Sequence, residues 1–276
     1  MSELFKDLVL ENPMLIEIQR FKRKFLSAGG SPAVTAISLA LAGLCYLGLL
    51  ILVVSNLGDL PPVALVMVQL GLFTLFAPAL LYGAIAGERE KRTWDLLVVA
   101  PITKSQIVAG KFVGALAALG AASLLFLLPI VLTALTYKNA SHGVASALLA
   151  EVLSVAFVAM LCSFTLYVSA RVERPLTALG VVLGVLAGVL VVVPTLSSLL
   201  VRRVSDDLIA LFHPFYAVAK IGAEPHTMPP YATTSGFGWF AWPQIFGYLL
   251  ATALFLAMTA LALQRADAIR EAPDHA

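Results

Sequence analysis

The chain has 276 residues, of which 60% are hydrophobic and only 12% are charged. The surface of a soluble domain needs about 25% charged residues, so the composition excludes an ordinary soluble protein. The formal net charge of +2 is too small to indicate a nucleic-acid partner. We therefore expect an all-α, polytopic membrane protein that forms one transmembrane domain over residues 1–276, with the lipid bilayer as its solvent.

The first 32 residues predict a cytoplasmic or interfacial helix. Asn12 and Pro13 form a helix start, because proline at the first helical position loses no hydrogen bond. Apolar residues then recur at spacings of three and four, while basic residues fall mainly on other faces. The apolar stripe comprises Leu15, Ile18, Phe21 and Phe25, and the basic residues include Arg20 and Arg23. The alternative is a basic segment beside the membrane without a special face.

Six apolar runs follow, each long enough to cross a bilayer. They cover residues 33–54, 63–86, 107–137, 144–170, 176–200 and 245–263. Fourteen of the 18 lysines and arginines then fall on one side of the membrane, which predicts a cell (inner) membrane protein with both termini in the cytoplasm. This arrangement gives five spans within 33–200, an external segment 201–243, a sixth span 244–263 and a cytoplasmic tail 264–276.

Three of these runs contain residues that affect helix packing. The third run is too long for a perpendicular span, and Pro129 is its natural bend, as Pro78 is in the second. Neighbouring helices can satisfy the carbonyls that such prolines leave free. In the fifth run Gly180, Gly184 and Gly188 lie four residues apart, which favours close packing either inside the bundle or between subunits.

The external segment is rich in aromatic residues near the sixth span. We expect short external helices at the outer leaflet, which either cover an exit path or only anchor the helix ends. The predicted aromatic cluster comprises Tyr231, Phe237, Trp239 and Trp242.

The sequence lacks the residues of common catalytic sites. Gly110-Lys111 has neither the preceding glycine nor the following hydroxyl of a phosphate-binding loop, and no metal-ligand spacing is present. The four histidines, His213 among them, are interpreted as loop residues. Glu151 is the only carboxylate near a span, and we interpret it as a side chain that snorkels to the outer interface. We expect no enzyme activity, no cofactor and no metal in this chain.

The segment from Gly87 to Lys111 interrupts the apolar pattern with a concentrated group of charges. Glu88 lies at helical pairing distance from Lys91 and Arg92, as Lys91 does from Asp95, and this spacing with an apolar face predicts a short helix that ends at Pro101. Thr103 and Gln106 then form a capping box that starts a second helix, with Ile102 and Ile107 as its hydrophobic staple. The segment is either a docking element for a cytoplasmic partner or a solvated loop that rests on the membrane.

This segment resembles a known family. Gly87-Glu88-Arg89-Glu90, Thr93, Asp95, Leu96-Leu97, Ala100-Pro101, Ile107 and Gly110-Lys111 are similar to the pattern of type-2 ABC transporter permeases, the membrane subunits of ATP-binding-cassette exporters. Two positions depart from the pattern: Arg92 replaces the usual glycine and Asp95 the commoner glutamate.

The resemblance implies a coupling helix between the second and third spans, inserted in a cytoplasmic ABC ATPase that binds ATP and Mg²⁺. It also implies that a second permease chain completes the translocation path. The implied coupling residues are Glu88, Arg89, Glu90, Thr93, Trp94, Asp95, Leu97 and Pro101. An ATP-independent carrier or channel and a membrane anchor that recruits a cytoplasmic partner remain alternatives.

Overall fold

A computed structural model of the chain describes residues 32–94, 97, 102–138, 143–192, 194–195, 213–222 and 241–271. Every regular element in this part is a helix, which confirms the all-α fold. The elements are α1 (Pro32–Ser55), α2 (Pro62–Leu81), α3 (Ala86–Glu90), α4 (Lys104–Thr136), α5 (Gly143–Arg171), α6 (Pro175–Ala187) with a π-helical continuation (Gly188–Val192), α7 (Pro214–Gly222) and α8 (Ala241–Glu271).

Five helical stretches of the described part are long and apolar enough to cross a membrane. They are 62–90, 104–136, 143–171, 175–192 and 241–264. The first helix, α1, has 24 residues, and its stretch Gly43–Ser55 is apolar. A polytopic membrane protein is thereby confirmed, while the number of six spans stays a prediction. The interfacial-helix residues 15–25 lie outside the described residues, as do Asp95, Pro101, Tyr231, Phe237 and Trp239.

The bundle is organised around α5, which contacts α2, α3, α4, α6, α7 and α8. Most residues of this helix are small or apolar and buried, so several helices pack on it, whereas Val144, Leu148, Val152 and Val155 form an exposed stripe. Aromatic rings join it to α8, since Phe157 and Tyr248 have ring centroids 5.3 Å apart and Phe164 and Phe255 5.2 Å apart.

Successive loops lie at alternate ends of the bundle, as expected for antiparallel spans. At one end the α1–α2 loop contacts Lys138, the second residue after α4. The backbone N–H of Lys138 donates to the carbonyl of Gly58 at 3.1 Å, and its ammonium lies 3.3 Å from Asp59. Gly58 has φ +91°, and a Cβ there would lie 2.9 Å from the Lys138 side chain. Glycine therefore lets the two loops approach closely.

Pro129 shows how a proline is accommodated inside α4. Proline has no N–H to donate to the carbonyl four residues earlier, which is that of Leu125. The hydroxyl of Tyr46 in α1 donates to this carbonyl at 3.0 Å. The expectation that a neighbouring helix satisfies the freed acceptor is confirmed at this proline.

The fifth predicted run is less regular than its sequence suggests. Its α-helix ends at Ala187, and a π-helix continues to Val192 within the predicted run. His213, at the start of α7, is 8% exposed and contacts the carbonyl of Leu190 in the π-helix through Nε2 at 3.0 Å. The N–H of Tyr216 donates to its Nδ1. His213 therefore joins α7 to the π-helix from a loop position directly before α7, in agreement with its interpretation as a loop residue.

The segment between the fifth and sixth runs contains the short helix α7, as expected. Its residues Ala217, Val218 and Ile221 are buried, and α7 packs on α2 and α5. Trp242 belongs to the first turn of α8 and is 52% exposed. The last helix, α8, begins at Ala241, three residues before the predicted start of the sixth span at residue 244.

The glycine face of α6 has no neighbour in the described part of the chain. A Cβ built at Gly180, Gly184 or Gly188 would meet nothing within 4 Å among the described residues. Of the two interpretations of this face, packing inside the described bundle is not observed.

Candidate functional site

Gly87–Glu90 and Thr93, which belong to the residues that carry the family resemblance, lie in a folded corner at one end of the bundle. We call residues 82–94 the elbow. It begins where α2 ends at Leu81, continues through α3, and faces the start of α4 and the end of α5.

Ser169 of α5 fixes the first bend of the elbow. Its hydroxyl accepts hydrogen bonds from the backbone N–H groups of Ile85 and Ala86, each at 3.1 Å. It also donates to the carbonyl of Tyr82 at 2.9 Å. A hydroxyl has one donor and two acceptor sites, so this fully buried side chain uses its whole capacity on the elbow backbone. The chain can thus turn between α2 and α3 without unpaired backbone groups.

An ion pair joins α3 to α4. The ammonium of Lys111 lies 2.7 Å from Oε1 of Glu88, and the two side chains are 7% and 22% exposed, respectively. Lys111 lies two turns into α4, where a lysine without an acidic partner would be costly to bury. The pair therefore sets the position of the elbow relative to α4.

A second basic residue joins the elbow to the end of α5. Nη1 of Arg89 donates to the carbonyl of Ala170 at 2.8 Å. The last carbonyls of a helix lack intrahelical partners and carry partial negative charge, so a guanidinium is favourable there. Arg89 thus satisfies one of the last carbonyls of α5 and fixes the elbow to this helix.

Trp94 forms the apolar part of the same structure. It is only 4% exposed. The guanidinium carbon of Arg89 lies 5.6 Å from a ring centroid of Trp94, and the ammonium of Lys104 lies 5.4 Å from one. These distances are within the range of cation–π attraction. Trp94 therefore joins α3 to the first residue of α4.

The helix that the sequence predicts here is interrupted. Its first part, α3, ends at Glu90, Arg92 has φ +56°, and helical residues recur at Trp94 and Leu97. A left-handed residue ends an α-helix, which is why the i, i+4 pairing of Glu88 with Arg92 does not apply. The N–H and hydroxyl of Thr93 both donate to the Glu88 carbonyl, at 2.9 and 3.2 Å, and close the turn.

The α4 helix begins as predicted. The N–H of Gln106 donates to Oγ1 of Thr103 at 3.3 Å, and the N–H of Thr103 donates to Oε1 of Gln106 at 2.9 Å. The capping box is therefore confirmed. Ile107 is fully buried and Ile102 packs against the core, so both residues of the predicted hydrophobic staple lie on the inner side of this start.

The predicted coupling residues fall into two groups. Glu88, Arg89 and Trp94 contact other parts of the bundle, and Leu97 packs partly buried against the core. The exposed residues are Glu90, Lys91, Arg92 and Thr93, which we call the tip. Among the described residues of the elbow, the first group contacts α4 and α5, whereas the tip lies on the surface.

Sequence reasoning missed Ser169 and the role of Lys111. A serine in an apolar helix carries no sign of its partners, because Ser169 bonds to residues more than 80 positions away. Lys111 gave a clearer signal, since a lysine inside a long apolar helix requires a partner.

The comparisons with known proteins agree with this geometry. A family model described as ABC-2 family transporter protein matches residues 62–268, which is most of the chain and includes the elbow. None of the curated proteins compared with the chain matches it. Together with its apolar helices, the match shows that the chain belongs to the ABC-2 transporter family and is a membrane permease.

Proposed function

We propose that this permease belongs to an ATP-driven exporter in which a separate cytoplasmic ABC ATPase binds the tip of the elbow. ATP and Mg²⁺ are held by that partner, and a second permease chain, identical or related, completes the translocation path. The elbow is the observation that carries the proposal, because it presents an exposed charged tip on a base fixed to α4 and α5.

The two groups of elbow residues have different roles in coupling the ATPase to the bundle. The tip contacts the ATPase, since its side chains are exposed. The buried contacts of Glu88, Arg89 and Trp94 pass the movement of the tip to the ends of α4 and α5. In this proposal the elbow faces the cytoplasm, as do both termini, and the membrane is the inner membrane. The open glycine face of α6 supports a second permease chain.

Two substitutions distinguish docking of the ATPase from transmission of its movement to the bundle. Glu90→Lys reverses a charge at the tip and leaves the described bundle contacts intact, so it should release the ATPase from the purified complex. Glu88→Gln removes the charge opposite Lys111, so the ATPase should stay bound while transport per ATP hydrolysed falls.

Asp59→Lys provides the control, because it reverses an exposed charge at the opposite end of the bundle. It should leave both ATPase binding and transport unchanged. Retention of the ATPase and of transport in Glu90→Lys would show that the tip is not the docking surface.

Reconstitution in liposomes tests the other functions. Transport by this chain alone would support an ATP-independent carrier, whereas strict dependence on the ATPase and ATP would exclude it. A complex that binds its ATPase but moves no substrate would support a membrane anchor.

A further inference from the structure

A polar cluster lies inside the membrane-spanning part of the bundle, far from the elbow. It joins Gln69 of α2, Ser123 of α4 and Glu151 of α5. Gln69 follows the start of α2 by seven residues and Glu151 follows the start of α5 by eight, which places them about 10 and 12 Å along their helices. Glu151 does not snorkel, because its carboxylate bonds to the fully buried side chain of Gln69.

The hydrogen bonds in the cluster use every donor it contains. Nε2 of Gln69 donates to Oε1 of Glu151 at 2.7 Å and to Oγ of Ser123 at 3.1 Å. The hydroxyl of Ser123 donates to the same Oε1 of Glu151. An amide nitrogen has two protons and a hydroxyl has one, so no donor is left over.

Two acceptors remain buried without a partner. They are Oε2 of Glu151 and Oε1 of Gln69. Exchanging the oxygen and nitrogen of the Gln69 amide would not give the amide oxygen a donor, because this oxygen would then face a carboxylate oxygen of Glu151. Gln69, Ser123 and Glu151 therefore contain two acceptors for which they have no donor. The hydroxyl of Ser154, one turn further along the same side of α5, is also buried, with both its proton and its oxygen unused.

The cluster also lacks a positive charge. Within the part of the chain that the structure describes, no lysine, arginine or histidine forms an ion pair with Glu151. A carboxylate in a membrane span is costly unless it is paired, and ionisable residues there mark binding sites and substrate paths. A cation that donates hydrogen bonds would supply both the charge and the donors that the ionised form of the cluster lacks.

We propose that Gln69, Ser123 and Glu151 form a binding site for a primary ammonium group within the membrane. An ammonium carries one positive charge and three N–H donors, so it can pair with the Glu151 carboxylate and donate to the two unused oxygens, Oε2 of Glu151 and Oε1 of Gln69. An amphipathic amine would place its hydrocarbon part against the apolar side chains of the surrounding helices. That such an amine is also a transported substrate rests on the function proposed above, whereas its binding does not.

The test uses the full-length protein in lipid nanodiscs and three probes of equal chain length. Hexylammonium has charge and N–H donors, hexyltrimethylammonium has charge without donors, and hexanol has a donor without charge. Hexylammonium should raise the melting temperature in a saturable way, and the other two should not. Equal effects of hexanol and hexylammonium, or no saturable effect of hexylammonium, would overturn the proposal.

Variants locate the site. Glu151→Gln should bind hexylammonium at least about tenfold more weakly, because a charge-assisted hydrogen bond is lost. Asp59→Asn makes the same chemical change at an exposed carboxylate and should bind normally. Equal responses of these two variants would overturn the proposal.

Labelling of the unchanged protein gives a measurement that does not depend on a variant's folding. A hydrophobic carbodiimide should modify Glu151, as read by mass spectrometry, and hexylammonium should protect it. Labelling without protection would overturn the site. Binding and protection without stimulation of ATP hydrolysis in the complex would support the site and contradict its use in transport.

Discussion

The ion pair between Glu88 and Lys111 allows a quantitative test of how the elbow is fixed. Two unit charges about 4 Å apart attract by about 4 kcal/mol at an effective dielectric constant of about 20. The loss of hydration of two partly buried ions offsets part of this attraction. With side chains 22% and 7% exposed and 2.7 Å between the charged atoms, we expect a net coupling free energy of about 2 kcal/mol.

A double-mutant cycle measures this coupling free energy directly. Glu88→Gln, Lys111→Gln and the double variant are compared with the unchanged protein by equilibrium unfolding in mixed micelles. Each single substitution should lower the free energy of unfolding by about 3 kcal/mol, because it leaves a buried charge without its partner. The double variant should lose about 2 kcal/mol less than the sum of the two single losses.

Asp59 and Lys138 provide the matched control at the other end of the bundle. Their charged atoms are 3.3 Å apart, and the side chains are 76% and 70% exposed. Water screens such a pair, so its coupling free energy should be below about 0.5 kcal/mol. If the Glu88–Lys111 cycle gives no larger value than this control, the ion pair does not fix the elbow to α4.

Three further substitutions test other contacts through the free energy of unfolding. Ser169→Ala removes the partner of three backbone groups and should lower the free energy of unfolding by about 3 kcal/mol. Ser163→Ala is the control: the Ser163 hydroxyl bonds only within α5, so its loss should cost less than about 1 kcal/mol. Equal losses would contradict the role of Ser169. Tyr46→Phe should lower the free energy of unfolding by about 1 kcal/mol. This loss should vanish in the Pro129→Ala background, where the alanine at position 129 donates to the Leu125 carbonyl within the helix. A loss that persists there would contradict the role of Tyr46 as the partner of this carbonyl. Arg92→Gly should stabilise the protein by about 0.5 kcal/mol, since relief of left-handed strain exceeds the entropy cost of glycine, and a lower stability would contradict it.

The sequence predicts features that depend on neighbours along the chain. The start of α4 follows from Thr103 and Gln106, because a capping box involves residues only three positions apart. The helical runs follow from apolar composition alone. The family's preference for glycine at position 92 also has a physical reason here, since Arg92 adopts a positive φ.

Features that depend on partners far along the chain could not be predicted in this way. Local spacing pairs Glu88 with Lys91 or Arg92, whereas the folded chain pairs it with Lys111 on another helix. The sequence predicts Glu151 at the interface because a span boundary read from composition is uncertain by several residues. Two helical turns are enough to decide whether a carboxylate reaches water. The polar partner that holds it inside, Gln69, is 82 positions away.

The uninterrupted course of α5 has a mechanical consequence. After Gly143 this helix contains neither proline nor glycine, so it resists bending along its whole length. Ser169, which holds the elbow, and Glu151 are 18 residues apart on it, or about 27 Å. If the elbow moves, α5 is therefore expected to move with it as one stiff helix from Ser169 to Glu151. Its neighbours α2 and α4, with Pro78 and Pro129, are the elements that can flex around it.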